Sequence, residues 1–575
     1  MSADEPEIAP GTSEASISEE IEVTAVKKAK IEQICAPEEN TQRKKICIRN
    51  LPSHWDTKQV KKWLSGIEID DYLKLTKIPR SSIAKVILSD SEKLNAYIER
   101  LNSEAIKNSK IEAFEADSSS RGKKSKAKNV SANVEAKKMD IVEVVTPLFE
   151  SHTYAEQLRS KEEEIKTKCV RKLCNNLKRI YEKKLALIKR DTEIRPENAA
   201  LVVPEWLKTF KTSLSIEILP IKPSPKTTEY RNKCEFTIGF NERGEKVVGF
   251  RLSKFAKGSV LVAETNKCPN VPVEINRVRE TFQAFIRKSQ LQIYDLPSHV
   301  GTWRQILLRK SEVTGEILAC VTVSLKDADQ NVWEEEQGKM VEHVKSEVSS
   351  LSIIEYEGLS CPEPDANVKT IMGKEFITDS ILGVEFNISA SSFFQVNTTG
   401  AEVLYNTIID SANLSKDHTL LDICCGTGSI GLCCAKATNC KVYGIDIVES
   451  AIKDANANAL RNEIGNAEFV CGKAEVLIED LLRRVGRKNV VAVVDPPRSG
   501  LHSKVPRAIR ENLHIKKVVY VSCNPTGSLI ADVEMLCCPE SKRYRGAPFE
   551  PKKVVPVDMF PHTSHIEVVM VLERQ

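Results

Sequence analysis

The sequence predicts a multidomain chain of mixed α/β and α+β architecture that ends in a doubly wound, mostly parallel sheet. Three observations predict it. From residue 418 onward, apolar runs of strand length alternate with helical patterns in a fixed rhythm, as βαβ units require. Residues 212–385 mix short strands with a helix near 333–348 and a hairpin over 303–324 turning near Thr314-Gly315, an α+β pattern. Residues 44–116 read strand, helix, strand, strand, helix, strand, a split βαβ order. A length of 575 residues accommodates three or four domains at about 150 each.

Composition narrows the class. Apolar residues make up 41% and charged residues 29%, which fits a soluble globular protein with solvated segments and excludes a collagen-like or wholly disordered one. No apolar run reaches the roughly 18 residues needed to cross a bilayer, so no membrane partner is expected. The acidic N-terminus lacks a signal pattern, so the expected location is the cytosol, the nucleus or both. The 84 basic and 80 acidic residues nearly balance, yet the basic ones cluster around Arg121, Lys123, Lys124, Lys126 and Lys128 and again from Lys166 to Arg190. Such stripes suit phosphate contact or a solvated helix face. None of the 17 cysteines forms a C-x-x-C pair, so no zinc site, iron–sulfur cluster or other metal is expected, and most read as small buried hydrophobes.

Along the chain, residues 1–43 read as a disordered acidic tail. In 44–116, Ile46, Ile48 and Leu51 open a strand, 57–66 form a helix with Val60, Trp63 and Leu64 on one face, and Ile83–Leu88 form the second strand. A helix over 91–102 and a strand at Ile111–Phe114 complete the unit. Ile46-Cys47-Ile48-Arg49-Asn50-Leu51 resembles the first signature strand of an RNA recognition motif, of ferredoxin-like fold. The positions where that family carries stacking aromatics fall on Cys47, Ile83 and Lys85, so base stacking is not expected. RNA contact and protein docking stand as equal readings of this module. Residues 117–150 read as a basic flexible linker. Residues 151–211 hold a long amphipathic helix with Leu158, Ile165, Cys169, Leu173, Leu177, Ile180 and Leu185 at its period, expected to pack on the catalytic body. Residues 212–385 are the central substrate domain and 386–575 the catalytic domain.

The first strand of the last domain ends Leu421-Asp422-Ile423-Cys424-Cys425-Gly426-Thr427-Gly428-Ser429 and leads into a helix. Ligands of doubly wound sheets sit at such strand ends. Gly426 and Gly428 allow close backbone approach, and the missing third glycine argues against a pyrophosphate cradle. The next strand ends in Asp446, suited to accept both hydroxyls of a ribose. Asp-x-x-x-Gly-x-Gly with that acid resembles the class I, Rossmann-like S-adenosylmethionine methyltransferases.

The fourth strand breaks at Asp495-Pro496-Pro497-Arg498, because two prolines cannot continue a central strand. The fifth ends Ser522-Cys523-Asn524-Pro525 before a helix from about Thr526. A thiol at a helix N-terminus is expected to ionise more readily than usual, which makes Cys523 the best-sited nucleophile. Glu567 interrupts the apolar final strand, where an unpaired carboxylate is costly. It is the candidate base, with His562 and His565 as competitors.

These segments, with Ser391-Ser392-Phe393-Phe394-Gln395-Val396-Asn397 and Phe560-Pro561-His562-Thr563-Ser564-His565-Ile566-Glu567, resemble the RNA uracil-5-methyltransferase family, specifically its eukaryotic tRNA branch. The resemblance implies Cys523 as nucleophile and Glu567 as base. It implies S-adenosylmethionine held by Gln395, Asp422, Cys424, Gly426, Gly428, Asp446 and Asp495. It implies tRNA as partner, contacted through the signature Tyr230-Arg231-Asn232-Lys233-Cys234-Glu235-Phe236, chiefly Tyr230, Arg231 and Phe236, and through Arg498. The expected reaction is methylation of uridine C5, at the T-loop uridine of tRNA, through a cysteine–C6 adduct; a monomer is expected. Cys424 and Ser429 depart from the family's usual aromatic and Asn. Two rivals are an RNA cytosine-5-methyltransferase, which usually carries a Pro-Cys pair where this chain has Asp495-Pro496-Pro497, and a tRNA-folding chaperone with little turnover.

Overall fold

In the computed structural model the described residues are 44–574 apart from 53–54, 78–82, 89, 91–92, 107–108, 116–139, 193–202, 210–215, 253–260, 297, 359–361, 363–365 and 486–488. The acidic tail and the lysine cluster of the linker lie outside them. Contacts divide the chain into two units, Met1–Ala132 and Asn133–Gln575.

The first unit runs β1 (Lys45–Arg49), α1 (Thr57–Gly66), β2 (Tyr72–Lys77), β3 (Ala84–Leu88), α2 (Leu94–Ser103) and β4 (Glu112–Glu115). Its antiparallel sheet has the order β2-β3-β1-β4. Asp56 and Gln59 close a capping box at the start of α1, and Val60 and Leu64 turn into the core with Ile46 and Ile48. The sequence reading took Ile83–Leu88 as the second strand; it is the third. Tyr72–Lys77 was missed because this sheet-edge strand leaves Leu73, Lys74 and Thr76 exposed and shows little apolar alternation. The outer sheet face also carries a ring: Cys47 lies between Lys85 and Phe114, and the Arg49 guanidinium sits 4.7 Å from the Phe114 centroid.

In the second unit, α3 (Ile141–Val145) is capped by Asp140 and buries Ile141 and Val142 in the central core. The linker expected to reach residue 150 therefore gives way to folded chain by Asp140, because two apolar residues found a cover. The amphipathic segment is three pieces: α4 (Tyr154–Glu164), a π-helical turn at Ile165–Val170, and α5 (Arg171–Thr192). Its buried face (Ile165, Cys169, Leu173, Leu177, Tyr181) packs on the catalytic sheet.

After a two-residue strand, β5 (Glu217–Ile218), come β6 (Lys233–Phe240), β7 (Lys246–Arg251), β8 (Val262–Ala263), α6 (Val273–Lys288), β9 (Trp303–Lys310), β10 (Ile317–Val323), α7 (Gln330–Val344), β11 (Ser350–Glu355) and β12 (Val368–Gly373). They form a seven-stranded sheet, β8-β7-β6-β9-β10-β11-β12, whose apolar face packs Phe236 and Trp303 against α6 and α7, with Trp333 of α7 in the same core. Two substrate assignments fail here. Phe236 is fully buried beside Phe250, and Tyr230 is buried with its hydroxyl donating to the Pro561 carbonyl at 3.0 Å. Neither ring can meet RNA. Phe236→Ala is expected to destabilise the protein by about 3–5 kcal/mol in denaturant unfolding while leaving the RNA affinity of the folded fraction unchanged.

A hairpin, β13 (Phe376–Ile381) and β14 (Val384–Ser389), follows. Ile377, Ile381, Val384, Phe386 and Ile388 share a core with Leu420, Val442 and Val493 of the last domain. The expected boundary at 385/386 thus cuts through β14. Strand alternation shows that one face is buried; it cannot show whose core that face joins.

Then come α8 (Thr398–Ala412), β15 (Thr419–Ile423), α9 (Ser429–Thr438), β16 (Lys441–Asp446), α10 (Glu449–Arg461), β17 (Ala467–Cys471), α11 (Ala474–Val485), β18 (Val490–Val494), α12 (Lys504–Glu511), β19 (Ile515–Ser522), α13 (Ser528–Cys537), β20 (Glu550–Val557) and β21 (Glu567–Glu573). The eight-stranded order is β17-β16-β15-β18-β19-β21-β20-β5. β21 runs antiparallel to both of its neighbours, β19 and β20. Strand order reverses at β15 and β18, which opens a crevice at their C-terminal ends. No helix among the described residues is long and apolar enough to cross a membrane.

Candidate active site

The crevice is floored by the loop after β15. Cys424, Gly426 and Gly428 all take positive φ (65°, 54° and 76°). The Cys424 and Cys425 amides both donate to the Ile445 carbonyl, at 2.9 and 3.1 Å, which curls the loop over β16. Asp446 accepts from the Gly426 amide at one carboxylate oxygen and from the Val448 amide at the other, each at 2.9 Å. A Cβ at Gly428 would lie 2.7 Å from the Phe469 ring, so glycine is required there. Above Gly426 the opposite holds: no heavy atom lies within 4 Å of the position a Cβ would take. Phe393 and Ile447, 64% and 65% exposed, leave apolar surface on segments next to the loop. Thr427 joins those segments by donating its hydroxyl to the Phe393 carbonyl at 3.3 Å. An open glycine, a carboxylate and uncovered apolar groups make a cradle that fits a nucleoside-bearing cofactor.

Asp422 does not line this cradle. It is fully buried below the loop and holds the first turn of α9 by accepting from the Gly431 amide at 2.9 Å. Burial raises its pKa to about 7, and its other oxygen has no partner. It positions the loop from beneath instead of touching a ligand. Gln395 is buried nearby, and its carbonyl accepts from the Asn232 amide at 2.8 Å. Burial alone raises Asp495, at the end of β18, to about 6.

The reactive groups meet through strand register. Ser522 of β19 pairs with Val568 of β21. One step further along that ladder sets Cys523 beside Glu567. Glu567 is buried, and its carboxyl is held well above the usual range by burial first and then by Asp495, with Arg498 pulling the other way. Cys523 is half-buried. Its thiol is raised by burial, then by Glu567 and Asp495, and lowered by the hydrogen-bonded Arg498 guanidinium.

That corrects the helix-dipole expectation. α13 begins at Ser528, five residues past the sulfur, and the dipole fades beyond the first turn. The group that favours thiolate is Arg498, placed by the Pro497–Gly500 turn and by Asn524, whose amide donates to the Arg498 carbonyl at 3.0 Å. Arg498 thus faces the sulfur as well as solvent. Of the competing histidines, His562 is buried against Gln157, and His565 is exposed, its imidazole shifted down by burial and then by Arg498. Among the described residues no group of three or more His, Cys, Asp or Glu side chains could hold a metal ion.

Sequence reasoning missed Asp532. It accepts from the Tyr520 hydroxyl at 2.6 Å and the Leu501 amide at 2.8 Å, clasping the Asp495–Leu501 loop to α13. A carboxylate inside the apolar run Leu529–Leu536 was its signal. It also missed Asn397, fully buried, which caps α8 and donates to the Met559 carbonyl at 3.0 Å, tying Gln395's segment to the loop before Glu567.

Residues 364–575 match the family model for tRNA (uracil-5-)-methyltransferase. The chain is 38% identical over 445 residues to mouse tRNA (uracil-5-)-methyltransferase homolog A, covering 76% of this chain and 69% of that protein. It is 34% identical to homolog B of Pongo abelii, covering 76% and 87%. Among solved structures it is similar to the Pyrococcus abyssi tRNA (uracil-54, C5)-methyltransferase in complex with S-adenosyl-L-homocysteine, at 25% identity and a TM-score of 0.48, covering 64% of this chain and 81% of that one.

Proposed function

The chain belongs to the tRNA (uracil-5-)-methyltransferase family, and from that premise we propose that it methylates C5 of a tRNA uridine through a covalent adduct of Cys523. The observation that carries this reading is the β19–β21 register, which sets a half-buried thiol beside a buried carboxyl at the mouth of the cofactor crevice.

Uracil C5 is a poor nucleophile. The Cys523 sulfur bonds to C6, and the ring becomes an enolate with charge at C5. S-adenosylmethionine, when bound, supplies the electrophilic methyl group that C5 takes. Gly426, Asp446 and Gln395 line its cradle, with Asp495 at the reactive end. Glu567 then accepts the C5 proton, the C6–sulfur bond breaks, and Cys523 leaves as thiolate. Splitting one hard step into two is the advantage of covalent catalysis. Arg498 favours the thiolate both before attack and on release.

A uridine stacked in folded RNA must be flipped out to reach the sulfur. We assign the RNA-holding face of the central domain to the outward side of β6 and β7. Arg231 and Lys233, the latter ion-paired with Glu235 at 2.7 Å, lie there with Thr237, to which the Arg251 guanidinium donates at 3.1 Å. This face replaces Tyr230 and Phe236. In the N-terminal unit, Lys45, Arg49, Lys85 and Phe114 give the outer sheet face a basic, singly aromatic character suited to a further RNA contact, in keeping with its likeness to an RNA recognition motif.

Transcripts of one tRNA labelled at uridine C5 or at cytidine C5 test the reaction. Tritium release from the uridine label alone is the expected result; release from the cytidine label would overturn it.

A further inference from the structure

The segment joining β20 to β21, residues 558–566, delivers Glu567 to the site, and its conformation is held from a helix some four hundred residues earlier in the chain. Lys161 of α4 donates to the Asp558 carboxylate at 2.7 Å and to the Phe560 carbonyl at 3.1 Å. Both charged groups are buried, 3% and 0% exposed. Gln157, one helical turn earlier, grips His562 twice: its amide oxygen accepts from the His562 backbone at 2.9 Å, and its amide nitrogen lies 3.1 Å from the imidazole Nδ1. The Leu148 amide takes the His562 carbonyl at 3.1 Å, and the Phe149 ring meets the imidazole edge-on at 4.8 Å. His562 needs this grip, because its φ is 67°, a conformation that non-glycine residues adopt at a cost. Three loop residues are thus fixed at alternate positions, 558, 560 and 562. α4 is itself fixed, since the π turn and α5 that continue it bury Ile165, Cys169 and Leu173 in the catalytic core.

We propose that Gln157 and Lys161 are positioning residues for the proton-abstraction step: they lock the 558–566 loop so that Glu567 stands within reach of the C5 proton. They act on Glu567 and not on Cys523, which hangs from a different strand, β19. The inference rests on the uracil-adduct reading, and it divides the reaction at a measurable point. Formation of the sulfur–C6 bond and methyl transfer need Cys523 in place; loss of the C5 proton and elimination need Glu567 in place.

Full-length Gln157→Leu and the double variant Lys161→Met/Asp558→Asn provide the test, the second removing the buried pair together so that no lone charge is left behind. RNA carrying 5-fluorouridine reports the first half, because fluorine cannot leave C5 as a proton does and the adduct persists. Ordinary tRNA reports the whole cycle. Both variants are expected to form the fluorinated adduct at a rate within twofold of wild type. On ordinary tRNA kcat should fall about 10–100-fold with KM unchanged, the scale that misplacement near 1 Å produces. A purely structural role would lower adduct yield and turnover together, in proportion to the folded fraction, and that result overturns the assignment. Unchanged kcat overturns it too. Absence of the adduct in the wild-type enzyme would instead bring down the underlying reaction, and the positioning role with it.

Discussion

Cys523→Ala loses methyl transfer to unmodified tRNA by more than about 10⁴-fold, the scale on which removal of a covalent nucleophile is felt. The same variant gives no denaturation-resistant adduct with 5-fluorouridine RNA, whereas the wild type does. An adduct surviving the substitution would exclude this sulfur. The effect is large because no neighbouring thiol can substitute. Cys424 lies in the cradle loop itself, but burial and four aspartates hold its thiol up at about 12. The same logic fixes the pH profile. Burial, Glu567 and Asp495 raise the Cys523 thiol above its ordinary value, so the thiolate fraction grows as pH rises and single-turnover adduct formation should climb from neutral into the alkaline range. Arg498 opposes that shift. Arg498→Met should move the rise to still higher pH and slow the adduct step at neutral pH; a profile that does not move would remove Arg498 from thiolate stabilisation.

Glu567→Gln separates the two halves of the reaction by the largest remaining margin. Turnover should fall by about 10²–10⁴, the usual contribution of a placed general base, while the adduct forms and, on ordinary tRNA, accumulates. Folding should be little disturbed. Burial and Asp495 disfavour the charged form of this carboxyl in the free protein, and a neutral amide of the same shape fits the buried position. Mass spectrometry of the trapped complex, together with kcat, decides the matter: normal turnover would take the base assignment away from Glu567. The assignment also explains a buried carboxyl at the head of the apolar run Val568–Leu572.

How much of this was legible in the sequence depends on the range over which each signal acts. Val490–Val494 was read to the residue, because a strand covered on both faces writes a continuous apolar run. The edge strand Tyr72–Lys77 was not, since half of it faces water. The direction of Phe236 was open to inspection: Cys234, Phe236 and Ile238 alternate with Lys233, Glu235 and Thr237, and the apolar set turned inward. The alternation, not the motif likeness, gives the direction of the ring. Asp422 presents the reverse case, a carboxylate inside the cofactor motif that serves the loop from below.

By itself the sequence determined the rhythm of the last domain, the glycine loop with its trailing Asp446, and the presence of a cysteine and a glutamate at two strand ends. Those features follow from local periodicity and from backbone conformations that only certain residues tolerate. Tertiary structure alone decided that Ser522 faces Val568, and so that Cys523 and Glu567 meet at all. It also decided that Arg498, not a helix terminus, tempers the thiol, and that Gln157 and Lys161 reach the loop before Glu567. The reason is one of range: register between strands some forty residues apart, and burial beneath a helix four hundred residues away, arise from packing, which no local pattern encodes.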